Sequence, residues 1–334
     1  MNIAFLADDA SANGWYRAIY PMQALAALGH NVRLVAAGDP ASRVAAVHGC
    51  DIVHIHRQHD ERARAIMQYA RRTGMPVIWD NDDDLGSLPE TNVGSRRFRG
   101  LTGRRVIAAQ RKMALEADVV TTPSSRLADM FRHSGVRDVR VIENYLRDDV
   151  MFLRRGERHD RLVIGWVAGL EHHLDSDQIP IAAALGSLLV AHRHVEVRTV
   201  GVRLPIRHER YTHTVGYVVG DLAPAVAEFD VGLAPLIDIP FNLARSNLKL
   251  KEYAGLGIPW LASPIGPYAA MGRREGGRLV PDSMWPGALE RIVRRRGERR
   301  RMARRAGRWG ATQTIGQNVT QWEQLMLELI NRKR

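Results

Sequence analysis

The chain holds a single cysteine, Cys50, in 334 residues. It can form no internal disulfide, and a reducing, cytoplasmic location is expected. Lysine is scarce as well: Lys112, Lys249, Lys251 and Lys333 are the only four, and every other basic residue besides histidine is arginine. No apolar run is long enough to cross a bilayer. The longest, Ile179 to Ala191, is interrupted by Pro180 and Gly186. The opening MNIAFLADD runs into Asp8 and Asp9 with no basic residue before them, so no secretory signal is expected. There is no G-x-G-x-x-G, no Walker loop and no G-x-S-x-G, which disfavours a nicotinamide enzyme, a P-loop nucleotidase and a serine hydrolase.

What is present is ordinary in bulk and uneven in detail. Apolar residues make up 45% and charged residues 25%, enough for two sizeable cores at this length. The formal net charge of +12 invites a polyanion as partner, DNA or an anionic membrane surface. Set against this, the arginine skew reads as compositional bias and much of the charge as solvated surface. The excess concentrates in Arg294–Arg308, which holds nine arginines and one acid, Glu298.

Strand and helix signals alternate. NIAFLAD, NVRLVAA, CDIVHIHR, PVIWDND, DVVTTPS and VRVIEN read as strands, with DASANGWYR as a glycine-bearing loop after the first. Helical spacing runs through AIYPMQALAALGH, DERARAIMQYARRTG, RRVIAAQRKMALEA and SRLADMFRHSG. The pattern restarts with DRLVIGWVAG, VEVRTVG, YTHTVGYV, DVGLAPL and PWLAS as strands. QIPIAAALGSLLVAH, LAPAVAEF, NLKLKEYAGLG and one long polar helix, PGALERIVRRRGERRRMARRAGRWG, lie between and after them. Such alternation predicts α/β architecture: two Rossmann-like doubly wound domains facing a central cleft. The expected divisions are 1–150, 151–312 and a C-terminal helix in 313–334 packing back on the first domain, with RDDVMFLRRGERHD as the join. In such sheets ligands bind at the carboxyl ends of the strands, which directs attention to the loops that follow them.

Four of those segments resemble GT-B glycosyltransferases, particularly glycosyltransferase family 4 and related group 1 enzymes. They are ADVVTTPSSRLADMFRHSGVRDVRVIEN ending on Asn144, VIGWVAGLEHHLD with His172 and Asp175, FDVGLAPL, and SNLKLKEYAGLGIPWLASPIGPY. The resemblance implies transfer of a sugar from a UDP- or GDP-linked donor to an acceptor, with retention and without an obligatory metal or other cofactor. It assigns the last segment to the donor. A helix N-terminus offers free N–H groups and a positive dipole end to a diphosphate. Ser246 and Asn247 are good cap types, Lys249 can neutralise the leaving diphosphate, and Glu252, on the same helix face, is given the ribose hydroxyls by the resemblance. The structural alternative is a capped helix with a Lys–Glu surface pair. Further donor candidates are Gly169, His172, Arg203 and Asn242. The family's paired glutamates flank seven residues, and the first of them falls on Ala244 here, so Asn242 and Arg245 are the neighbours expected to take its place. The alternative function is a degenerate scaffold of this fold that binds a polyanion without turnover.

The acceptor side is read from the first half. In WDNDDDLG, Asp82 and Asp84 are expected to orient an acceptor group, with Asp82 joining Lys249 as a residue acting on the reaction. The competing readings are a metal site, and plain ion pairing with Arg96, Arg97 and Arg99. Gly14 permits close approach of a ligand, with Trp15, Tyr16 and Arg17 beside it. His56 lies in DIVHIHRQH, where no cysteine or second histidine pair supports zinc. Arg295, Arg299 and Arg301 are taken as a polyanion patch, against a merely solvated helix face. The candidate acceptors are an envelope glycan, a lipid, a protein side chain or a hydroxylated DNA base, and a peripheral place on a membrane surface is the alternative to a free cytoplasmic one.

Overall fold

The computed structural model describes residues 1–7, 12–36, 38–92, 95, 98–150, 160–169, 172–215 and 226–333. Two six-stranded parallel sheets form. The first comprises β1 (Asn2–Leu6), β2 (Asn31–Leu34), β3 (Ile52–His56), β4 (Val77–Asp80), β5 (Val119–Thr122) and β6 (Val139–Val141), in the order β2-β1-β3-β4-β5-β6. The second comprises β7 (Leu162–Ala168), β8 (Val195–Gly201), β9 (Tyr211–Thr214), β10 (Val231–Ala234), β11 (Trp260–Ala262) and β12 (Gly277–Leu279), in the order β12-β11-β10-β7-β8-β9. The expected α/β fold of two doubly wound units is therefore present. The strand order reverses between β1 and β3 in one sheet and between β7 and β10 in the other, and ligand crevices open at such points.

Alternation along the strands builds a core on both faces of each sheet. In β1, Ala4 and Leu6 face Val53 and Ile66, while Ile3 and Phe5 face Ile52 and Trp322. Trp322 comes from the helix Thr320–Lys333, which lays Leu325, Met326, Leu329 and Ile330 on the first sheet's outer face. Lys333 to Asp118 at 2.8 Å and Arg332 to Asp138 at 3.0 Å fasten its end. The chain's two passages between the halves touch: Leu146 N–H donates to Gln313 O at 2.9 Å, and Ile315 N–H to Leu146 O at 2.7 Å.

Three elements depart from expectation. The loop DASANGWYR is helical from Ala12, with a wide turn over Trp15–Ile19. Pro21 has no N–H to give the Arg17 carbonyl, and Tyr20 N–H reaches five residues back to Trp15 O. The long arginine helix is two helices, Trp285–Arg294 and Arg296–Ala311, broken at Arg295. Arg299 folds back to donate to Ile292 O at 2.7 Å and Val293 O at 3.1 Å, satisfying carbonyls left open at the first helix's end. The strand β12 was not expected. Of YTHTVGYV the structure shows β9, while residues 216–220, much of LAPAVAEF, most of the join and Arg96 and Arg97 lie outside the described residues.

Candidate functional site

The helix Leu248–Gly255 sits at the reversal point of the second sheet. Tyr253, buried beneath it, donates its hydroxyl to Leu233 O in β10 at 2.8 Å and accepts from Val167 N–H in β7 at 3.3 Å. That fixes the start of the helix over the crevice. Ser246 Oγ accepts from Leu248 N–H at 3.4 Å. Asn247 holds the cap position without a side-chain bond back to the helix; its amide reaches Glu143 at 3.4 Å instead. Lys249 Nζ lies 3.2 Å from Glu252 Oε2, and both side chains are largely covered, so the pair is not the exposed surface pair of the structural alternative. The cover includes the first half: Tyr16 donates its hydroxyl to Glu252 Oε1 at 2.9 Å.

Beside this cluster a second network joins residues that were expected together. His172 Nδ1 is 2.6 Å from Asp175 Oδ2. Asp175 Oδ1 accepts from Ile237 N–H and from Asn242 Nδ2, each at 2.8 Å. The loops after β7 and β10 are thereby tied through one buried carboxylate. Gly169 closes β7's exit, while Arg203 stands exposed past β8 and contributes no described contact to this network. Ala244 is buried among Leu127, Ala128 and Phe131 of the first half, and its carbonyl accepts from Ser124 Oγ at 2.6 Å. The position that carries a glutamate in the resembling family is here a contact between the halves.

On the first sheet, Arg17 lies in the interior. It is fully buried and gives Nε and Nη2 to Asp80 at 3.1 and 2.6 Å, and Nη1 to Ile142 O and Asn144 Oδ1. The guanidinium expected on the acceptor side holds β4 to the segment after β6. Asn144 passes the connection on, donating to Ser246 Oγ at 3.1 Å and accepting at its carbonyl from Lys251 Nζ at 2.9 Å. Lys251 is completely buried, pairs with Glu143 at 2.6 Å and lies over the Tyr145 ring. Burial lowers its pKa, with Glu143 opposing the shift.

Asp82 is buried, 3.2 Å from His56 Nε2 and ion-paired with Arg57; Arg57 also pairs with Asp83. Burial alone would raise the Asp82 carboxyl, but the Arg57 charge and the hydrogen bond to His56 hold it well below the usual range. Burial prevails at Asp83 and raises it. Such an Asp82 suits orienting a hydroxyl better than accepting its proton. The aspartates turn toward Arg17 and Arg57, and among the described residues no three His, Cys, Asp or Glu side chains form a metal-holding group. Asp84 is half-buried, and Gly14 is buried at the entry to the wide turn that aims Tyr16 across the crevice. Arg57 escaped sequence reading. Its φ of 57° is the only positive value at a non-glycine among the described residues, and nothing in the sequence announces it.

In the arginine run, Arg295 is exposed and Arg301 lines a cavity, but Arg299 leaves the patch because it caps the preceding helix. No described helix is long and apolar enough to cross a membrane.

No protein-family profile matches the chain, and no curated protein matches it in sequence. Solved structures do match. Sucrose-phosphate synthase from Thermosynechococcus elongatus is 16% identical, with 99% of this chain and 100% of that one covered and a TM-score of 0.68. Anabaena HepE in complex with UDP-glucose is 15% identical, with 99% and 100% covered and a TM-score of 0.69. A putative UDP-N-acetylglucosamine 2-epimerase from Listeria monocytogenes is 11% identical, with 99% and 97% covered and a TM-score of 0.61. The chain thus has the GT-B fold over its whole length, a fold that these neighbours share across differently named enzymes.

Proposed function

We propose that the chain is a glycosyltransferase that moves a sugar from a UDP- or GDP-linked donor to an acceptor hydroxyl, with retention and without a metal cofactor. The reading rests on one observation: Lys249 and Glu252 lie on one helix face at the reversal point of the second sheet, under Tyr16 from the first. In this reading the diphosphate sits at the start of the helix Leu248–Gly255, with the Lys249 ammonium taking up charge as the bond from the sugar C1 to the diphosphate breaks. Glu252 accepts the ribose hydroxyls, its carboxylate held in place by Lys249 and Tyr16. The acceptor oxygen bonds C1 from the first-half side, oriented by Asp82, and its proton leaves on the departing phosphate.

The test is donor turnover with UDP-glucose, UDP-N-acetylglucosamine and GDP-mannose, with and without EDTA. Release of nucleoside diphosphate from one donor, unaffected by EDTA and abolished in a folded Lys249→Ala variant, is expected. That variant should also bind the nucleotide at least tenfold more weakly, the loss of one charge-assisted contact worth roughly 1.5–3 kcal/mol. Absence of both release and nucleotide binding in calorimetry overturns the proposal in favour of a non-catalytic scaffold. Conversion of UDP-N-acetylglucosamine to its 2-epimer without release of nucleotide overturns it in favour of epimerisation.

A further inference from the structure

The approach to β12, the helix Trp285–Arg294 and the helix Arg296–Ala311 line an open cavity of about 260 Å³. Five arginines line it, Arg273, Arg278, Arg291, Arg301 and Arg305, with a single acid, Glu298. Glu298 is already shared: Arg291 pairs with it at 2.9 Å and Arg278 also pairs with it. Arg301 adds its charge to the same carboxylate, and Arg273 and Arg305 form no ion pair among the described residues. Arginines from three elements line this one open concavity, with Arg278 half-buried and Arg273, Arg291, Arg301 and Arg305 exposed at its rim. Positive charge gathered around one hollow with a single acid favours an anion there.

The chemistry of the lining narrows the ligand. The guanidinium fork matches phosphate oxygens two at a time, and several forks around one hollow suit a ligand with more than one phosphoryl group. The volume lies below the ~300–1,000 Å³ of drug-sized pockets, so the ligand is small. We propose that this cavity is an anion site for a small ligand bearing two or more phosphoryl groups, separate from the nucleotide site and independent of whether the chain transfers sugar. Its occupant would bear on the helix of Lys249 and Glu252. Gly310, on the arginine helix, lies against that helix so closely that a Cβ there would come 2.3 Å from the Ala254 carbonyl oxygen. Gly276, in the left-handed region at φ +84° just before β12, packs as closely on Ala306.

Pyrophosphate is the probe, titrated calorimetrically into the Lys249→Ala protein so that the nucleotide site is disabled. Binding at one site is expected. Adding Arg301→Gln and Arg305→Gln should weaken it at least tenfold, or about 1.4 kcal/mol, with the melting temperature little changed. Equal affinity without the two arginines overturns the proposal, as does loss of pyrophosphate binding in Lys249→Ala alone. Arginine-dependent flotation with phosphatidic acid vesicles, competed by pyrophosphate, supports the same phosphoryl chemistry with a lipid headgroup as its source. Arginine-dependent binding of a short DNA duplex that pyrophosphate does not displace overturns it in favour of a nucleic-acid surface. Donor release by the wild type is measured separately, so failure here and failure of the transferase reading are distinguishable.

Discussion

Tyr16 and Glu252 are 236 residues apart in the chain, yet the Tyr16 hydroxyl donates to Glu252 Oε1 at 2.9 Å. A side chain of the first half thus holds a carboxylate of the second. Replacing Tyr16 by Phe removes that bond and leaves the ring. A single hydrogen bond is worth about 0.5–1.5 kcal/mol net, so the UDP dissociation constant should rise about three- to tenfold. An unchanged constant in calorimetry would show that Tyr16 has no part in preparing the carboxylate.

Glu252→Gln keeps the shape and removes the charge. Hydrogen bonds to a charged group are worth roughly 1.5–3 kcal/mol, and the donor KM should rise at least tenfold. A KM within twofold of the wild type would count against ribose binding by Glu252. The Lys249 partner makes the outcome informative, because the variant frees that ammonium for the diphosphate.

A glutamate at position 244 should do harm. Ala244 is buried among Leu127, Ala128 and Phe131, so the carboxylate of Ala244→Glu has no partner there. Burying it costs roughly 3 kcal/mol unless the halves part. Either a lower urea midpoint or a larger radius of gyration in small-angle scattering is expected. A variant with wild-type stability and radius would refute the contact role of this position.

His54 supplies a pH signature. Burial between Phe5 and Trp322 lowers its pKa to about 3 from the ordinary 6.5, with Asp80 opposing the shift at 4.0 Å. The folded protein therefore binds fewer protons than the unfolded chain between those values. Stability from the neutral ring is complete above pH 6.5 and is lost as pH falls toward 3. From pH 7 to pH 5 the loss is about 2 kcal/mol for one proton. His54→Phe should remove that much of the acid-side decline in urea unfolding, and a parallel decline in both proteins would reject the assignment.

The strands with clear alternation or apolar runs were legible in the sequence, as was the α/β order they impose. β12 was not: three residues beginning on Gly277, with Arg278 in the middle, carry no period. Lys249 and Glu252 were legible because their spacing puts them on one helix face. The neighbouring Lys251 was conspicuous by its rarity, but its role depends on Glu143 and Asn144, more than a hundred residues away, and no local pattern encodes that. The contacts of Arg17 and Arg299 were not legible for one shared reason. An arginine in sequence looks like a free cation, and only the fold shows the carbonyls and carboxylates that use up its donors.

The bridge between Leu146 and Gln313–Ile315 has a mechanical consequence. Two passages tied side by side act as a pair of pins on one post. A swing of the halves about the line through that post would leave the bridge intact, whereas sliding or twisting past each other would tear it. A swing about this line would lift Tyr16 from Glu252, Ser124 from Ala244 and Asn144 from Ser246 as one event. Opening of the crevice would then follow one shared angle instead of separate loops.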